Sequence, residues 1–195
     1  MLLRALRPFL AHPAVGRAVV ALPPAAVGEP PPWLAPLLGE RLRVVPGGTT
    51  RADSVRAALW GLGEVPAIVL VHDAARPLVS HEIIDAVIAL ARTGVGAVPA
   101  VPIGDTIKET ADGRILRTVS RERLWGAQTP QGFPGAMLTA AYAAWGPADP
   151  PPTDDAELCE RSGFPVAITP GAPDNLKVTT GSDWRLAEAL LRDRP

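Results

Sequence analysis

The 195-residue chain is predicted to fold as an α/β domain, residues 1–195, on a mostly parallel sheet with a projecting β-arm. Three observations predict it. Five short apolar runs, "RAVVALP", "LRVVPGG", "AIVLVHD", "GAVPAVPI" and "PVAITPG", alternate with helical patterns over about residues 2–11, 51–62, 81–92, 134–145, 154–162 and 183–192. That rhythm belongs to a layered sheet with helices packed on it. The runs lack the polar alternation of a half-solvated strand, and Ala67 to Val71 in particular suits a strand covered on both faces. One polar segment, "GDTIKETADGRILRTVSRERLW", breaks the rhythm with two short strands around Asp112-Gly113. This is a hairpin signal, and residues 105–121 are expected to stand off the sheet.

The elements follow in order. "LLRALRPFLAHP" places arginines between leucines and has neither an uninterrupted apolar stretch nor a small-residue cleavage site, so it reads as an amphipathic helix rather than a signal peptide. No run approaches the roughly 18 apolar residues that cross a bilayer, and no membrane partner is expected. The prolines concentrate in "LPPAAVGEPPPW" and "GPADPPPTDD", where they punctuate loops. Thr49 or Thr50 can cap the helix after "PGG", and Ser182 the last helix. A net charge of −1 argues against a broad nucleic-acid-binding face, so phosphate recognition must come from local clusters. Cys159 is the sole cysteine; it reads as a buried helix thiol in a cytoplasmic protein.

Four clusters are candidates for chemistry. In "PGGTTRADS", Gly47 and Gly48 let backbone approach a ligand just before a helix N-terminus, although such glycines are also common in plain turns. Asp73 and Arg76 in "VHDAARP" close a buried strand at the edge where parallel sheets bind ligands. The plainer reading is a capped turn with a surface ion pair. In "SRERLWGAQTPQ", Arg121, Arg123, Thr129 and Gln131 surround Trp125, and two arginines near a Thr-Pro turn can grip a phosphate. Lys177 in "DNLKVTTGSD" lies between a loop and a helix.

Other chemistries fit less well. His12, His72 and His81 lack zinc-site spacing, and His72 reads as a packing residue at a strand end. No G-x-S-x-G elbow, G-x-G-x-x-G fingerprint or Walker loop is present. What remains is an anion-binding site of Asp, Arg, Lys and Thr.

Taken in order, "GGTTRADSV", "VHDAARP", "DTIKE", "LW-x-AQTPQGF", "TDDAELCERSG" and "DNLKVT" resemble the 2-C-methyl-D-erythritol 4-phosphate cytidylyltransferase family of the non-mevalonate isoprenoid pathway. The resemblance implies a Rossmann-like three-layer nucleotidyltransferase fold, with CTP and methylerythritol phosphate as substrates and a magnesium ion near Asp73. It implies catalytic roles for Asp73, Lys177 and Arg121. Gly48 and Ser54 would contact the cytidine part, Ala74 would lie in the substrate site, and Arg76, Thr106, Arg121, Thr129 and Thr153 would surround methylerythritol phosphate. The family's arm reaches across a homodimer, so residues 105–121 would form a dimerisation arm with Thr106 and Arg121 serving the neighbour's site.

Two departures accompany the resemblance. Thr49 stands where the family often has an aspartate. The family also carries an N-terminal strand and a glycine-rich loop, with an arginine and a lysine around the triphosphate, and nothing in this chain corresponds to them. Met1 falls where the family's first long helix begins, so the chain reads as N-terminally incomplete. The rival readings are the related ribitol-5-phosphate cytidylyltransferases and a noncatalytic binding or structural remnant. Retention of Asp73, Arg76, Arg121, Thr129 and Lys177 argues against the remnant.

Overall fold

A computed structural model describes residues 1–192. In chain order the elements are α1 (Leu2–Ala11), β1 (Ala18–Leu22), β2 (Leu42–Pro46), α2 (Arg51–Gly61), β3 (Ile68–Val71), α3 (His81–Ala91), β4 (Gly96–Pro102), β5 (Ile107–Ala111), β6 (Arg114–Val119), β7 (Trp125–Ala127), β8 (Gln131–Pro134), α4 (Gly135–Ala144), α5 (Asp155–Arg161), β9 (Val166–Pro170) and α6 (Gly181–Arg192). Two short 3-10 turns, Pro24–Ala26 and Ala35–Leu37, fill the proline-rich connection between β1 and β2.

Local chemistry sets the helix starts. Thr50 begins α2 with a reciprocal capping box, its hydroxyl accepting from the Asp53 amide while the Asp53 carboxylate accepts from the Thr50 amide. Asp154 caps α5 by accepting from the Glu157 amide at 2.8 Å. At α6 the cap is Thr180, which accepts from the Asp183 amide, rather than the expected Ser182. Ser182 already lies within the first turn and receives Arg185 instead.

The α/β layering is as expected, but the strand directions are less parallel. β1 pairs β2 in parallel, and β4 pairs β9 in parallel. The path β3-β8-β4-β7 runs antiparallel throughout. The difference comes from "LW-x-AQTPQGF", in which the strands β7 and β8 lie on either side of the expected Thr-Pro turn. β8 inserts between β3 and β4 against their direction. β5 and β6 form a separate antiparallel hairpin, turned at Asp112 and Gly113, both with positive φ.

Helices cover both faces. Leu6 of α1 packs with Leu22, Leu34 and Leu42, whereas Phe9 packs with Ile83, Ile84 and Val87 of α3 and with Ile68 and Leu70 of β3. On the opposite face, α2 lies against Val19 and Val45 at Gly61, and its Leu59 joins Val69 and Phe133. Both helices therefore span from the β1–β2 sheet to the larger one.

Between the sheets lies a slot. β1 and β3 point the same way along α2, because Arg17 at the start of β1 donates to the Leu62 carbonyl, while Leu22 at its end receives the Gly47 amide and Asp73 beyond β3 receives Arg51. A cavity of about 1130 Å³ separates them, lined by Ala18 to Ala21 on one side and Ala67 to Val71 on the other. One five-residue strand, at ~3.3 Å per residue, ~4.8 Å between strands and ~10 Å between layers, occupies roughly 800 Å³. Among the described residues neither facing edge has a strand partner. This is why Ile68, Leu70 and Val71 are only half-buried although their sequence reads as fully covered.

Candidate active site

The site is built at the carboxyl end of β3. Asp73 is 13% exposed, and each of its oxygens holds a different cation: Oδ1 accepts from Arg51 Nε at 2.9 Å, and Oδ2 meets Lys177 Nζ at 2.9 Å. Burial pushes the Asp73 carboxyl up, but Lys177 and Arg51 together overcome it and hold it below the usual carboxylate range. The plainer reading, a surface pair of Asp73 with Arg76, is overturned. Asp73 pairs instead with residues 22 positions before it and over a hundred after it in sequence.

Arg76 is buried and turned away from that carboxylate. Its Nη1 donates to the Asn175 carbonyl at 2.7 Å and its Nη2 to the Ala127 carbonyl at 3.2 Å, while its buried Nε has no partner among the described residues. The guanidinium thus clamps the loop that carries Lys177 to the end of β3. The Val178 amide reinforces this by donating to the Ala75 carbonyl, and buried Asn175 donates to the Thr129 carbonyl. Lys177 reaches Asp73 because the loop is fastened on both sides of it.

A second line of bonds fixes the Asp73 backbone. The Asp73 amide donates to Thr129 Oγ1 at 3.0 Å, the Thr129 hydroxyl donates to His72 Nδ1 at 3.0 Å, and His72 Nε2 donates to the Arg76 carbonyl at 3.0 Å. This order requires a neutral imidazole protonated on Nε2. Burial pulls the His72 pKa down to about 4, which keeps it neutral at physiological pH. His72 is therefore more than packing: it orients Thr129, whose hydroxyl acts through the Asp73 amide.

Gly48 and Ser54 come together beside this cluster. The Gly48 amide donates to Ser54 Oγ at 3.1 Å, and a Cβ on Gly48 would stand 2.2 Å from Asp53 Cβ, so the close approach admits only glycine. Ala74 is exposed at the rim, and with Asp73, Arg51 and Ser54 it lines the open end of the slot. Thr153 lies at the start of the α5 turn, where its hydroxyl donates to Glu157 at 2.7 Å. Thr106 and Arg121 stand exposed at the two ends of the hairpin, and neither side chain bonds to the Asp73 cluster within this chain.

Two members of the site escaped the sequence reading. Arg51 donates from Nη2 to Asp155 Oδ2 at 2.9 Å as well as to Asp73, and Asp155 is wholly buried. Burial pushes the Asp155 carboxyl up; Arg51 and the Tyr142 hydroxyl, which donates at 2.6 Å, both favour its charged form. A signal for Arg51 exists: it occupies the first position of α2, where the helix dipole disfavours a cation. Asp155 is one of two acids in the first turn of α5, an ordinary place for a carboxylate.

The sequence profile of the 2-C-methyl-D-erythritol 4-phosphate cytidylyltransferase family, IspD, matches residues 1–193. The chain belongs to this family. It is 47% identical over 193 residues to the 2-C-methyl-D-erythritol 4-phosphate cytidylyltransferase of Frankia casuarinae, covering 98% of itself and 70% of that protein. It is 43% identical to a bifunctional IspD/IspF enzyme of Anaeromyxobacter dehalogenans, of which it spans 50%. The crystal structure of the family's enzyme from Thermus thermophilus superposes with a TM-score of 0.85 at 37% identity, covering 98% of this chain and 89% of that one. In this cytidylyltransferase fold the Asp73–Lys177 pair stands at the end of β3, beside the Gly48–Ser54 turn at the start of α2.

Proposed function

We propose that this chain transfers CMP from CTP to 2-C-methyl-D-erythritol 4-phosphate, with Asp73 and Lys177 at the reacting phosphates. The observation that carries the reading is the doubly paired Asp73 carboxylate, with Lys177 on one oxygen and Arg51 on the other, at the carboxyl end of β3. A phosphate oxygen of the acceptor attacks the α-phosphorus of CTP, a new P–O bond forms, and the bond to the β-phosphate breaks to release pyrophosphate. The protein's task in such a transfer is positioning and charge stabilisation. Lys177, 45% exposed, is free to turn from Asp73 to the α-phosphate. The Gly48–Ser54 turn offers backbone at close range for the cytidine part.

Among the described residues no group of three or more His, Cys, Asp or Glu could hold a metal ion by itself. Asp73 supplies a single carboxylate, which fits magnesium carried on the triphosphate, since Mg²⁺ is commonly held by one or two carboxylates plus substrate phosphates. When bound there, the ion would neutralise charge on the phosphates. Thr129 and His72 hold the Asp73 backbone in place for it.

The hairpin supports a homodimer in which Thr106 and Arg121 complete the neighbour's site. Ile115 and Leu116 are 64% and 60% exposed on it, a large apolar presentation for a two-stranded element. A cytoplasmic setting suits a chain whose one cysteine, Cys159, is buried with its thiol pushed up to about 12 by burial. Among the described residues no helix is long and apolar enough to cross a membrane.

Pyrophosphate release from CTP with methylerythritol phosphate tests the assignment, with ribitol 5-phosphate as the competing acceptor. Methylerythritol phosphate should be strongly preferred. Lys177→Ala should lower turnover at least ~100-fold, as loss of one preorganised charge donor does, with the thermal melt unchanged. Near-normal turnover of that variant, or preference for ribitol 5-phosphate, would contradict the reading.

A further inference from the structure

Arg51 joins the reacting edge of the site to a charge that substrate does not reach. Its Nε and Nη2 serve two different carboxylates, Asp73 Oδ1 and Asp155 Oδ2, each at 2.9 Å. Asp155 has no exposed side-chain surface, and its second oxygen is taken by the buried Tyr142 hydroxyl. Tyr142 lies in the core cluster with Phe133, Leu138 and Ala141, and Asp155 is flanked by Ala156, Leu158 and Cys159 of the same cluster. The Gln131 side chain fixes the start of α5 further, donating to Asp154 at 2.7 Å and accepting from the Ala156 amide at 3.0 Å. A continuous line, Tyr142–Asp155–Arg51–Asp73, therefore runs from packed interior to site.

We propose that Arg51 is a positioning residue for Asp73, holding Oδ1 against the buried Asp155–Tyr142 anchor so that Oδ2 alone exchanges partners during the reaction. The proposal rests on the cytidylyl-transfer reading. The shape of the side chain matters as much as its charge. A guanidinium offers adjacent N–H donors in a rigid plane, so two bonds at 2.9 Å fix both its place and its tilt. An ammonium in the same position is a point charge that reaches one carboxylate at a time. The bridge also explains why a cation is kept at the first position of α2: the two carboxylates outweigh the unfavourable helix dipole. Lys177, by contrast, is bonded to Asp73 alone among the described residues and is substantially exposed, which is what a partner that must leave requires.

The test compares R51K with the double variant R51Q/D155N, which removes the bridge together with the buried charge it neutralises and so strands neither partner. Two readouts are taken: kcat and KM for both substrates, and the position of the Asp73 carboxylate in crystals. R51K should lower kcat about 10- to 100-fold, the scale of a small misplacement of a reacting group, while KM for methylerythritol phosphate changes less than about threefold. In both variants the Asp73 carboxylate should adopt a new rotamer. Wild-type kcat in R51K with Asp73 unmoved would overturn the proposal, whether or not the double variant folds. Should the wild-type chain release no pyrophosphate, the reaction reading fails, and the crystallographic position of Asp73 still decides whether Arg51 sets it.

Discussion

Acid should destabilise this fold through His72. The imidazole is partly buried between Phe9, whose ring centroid is 4.8 Å away, the Thr129 hydroxyl and the Arg76 carbonyl, with Asp73 and Arg76 as its charged neighbours. Burial lowers its pKa from 6.5 to about 4. A histidine held neutral in the native state binds fewer protons than in the unfolded chain, so stability is unaffected above the unfolded value, falls as pH drops from about 6.5 to about 4, and is fully reduced below that. At 1.36 kcal/mol per unit the whole loss is about 3 kcal/mol, of which about 2 kcal/mol is reached by pH ~5. Against a total stability of about 5–15 kcal/mol this is large. The perturbation is His72→Gln, which removes the titration and retains hydrogen-bonding capacity. Denaturant unfolding of both proteins near pH 7.5 and near pH 5 gives four stabilities. Wild type should lose about 2 kcal/mol more than the variant over that interval, since whatever else changes with pH is common to both proteins and cancels in the difference. Equal losses would show that protonated His72 is accommodated and that the bond order through Thr129 is wrong.

Other outcomes follow from the same geometry. Gly48→Ala, whose methyl would sit 2.2 Å from Asp53 Cβ, should disturb the capping box of α2 at a cost of about 1–3 kcal/mol and weaken CTP binding, read by thermal melts and calorimetric titration; an unchanged melt would mean the turn shifts freely. Arg121→Ala and Asp73→Asn should each be inactive yet regain partial turnover when mixed, because a heterodimer holds one site with both native residues; once subunit exchange is verified, absence of recovery places Arg121 outside the neighbour's site. Fusing an apolar strand ahead of Met1, long enough to enter the slot between β1 and β3, should raise the melting temperature and tighten CTP binding relative to the 195-residue chain, and identical values would show that the slot accepts no strand.

The parts legible in the sequence are those set by short-range chemistry. The periodic apolar faces placed all six helices within a few residues, and Asp112-Gly113 located the hairpin turn. The strand β8 was not legible, because "QTPQGF" has neither the length nor the β-branched content of a strand; it is held by tertiary pairing with β3 and β4. In the site, Asp73 and Lys177 stood out as charges in loops, where side chains meet ligands. Arg51, Asp155 and His72 did not, since each acts through partners 22, 104 and 57 positions away, and such pairings follow from topology rather than from local pattern.

The slot also divides the molecule's motions. Among the described residues α1 and α2, together with the connecting loops, carry packing between the β1–β2 sheet and the rest, so opening of that lobe does not require breaking the β4-centred sheet. Among the described residues, alternate amides along the facing edges of β1 and β3 lack strand acceptors and should exchange deuterium quickly, although they lie midway across the protein. Amides of β4, bonded to β7 and β8 on one side and β9 on the other, should exchange only when the whole domain unfolds. The slowest-exchanging region would then begin one strand away from Asp73, with Lys177, Arg76 and the Arg51–Asp155 bridge all on the stable side of the slot.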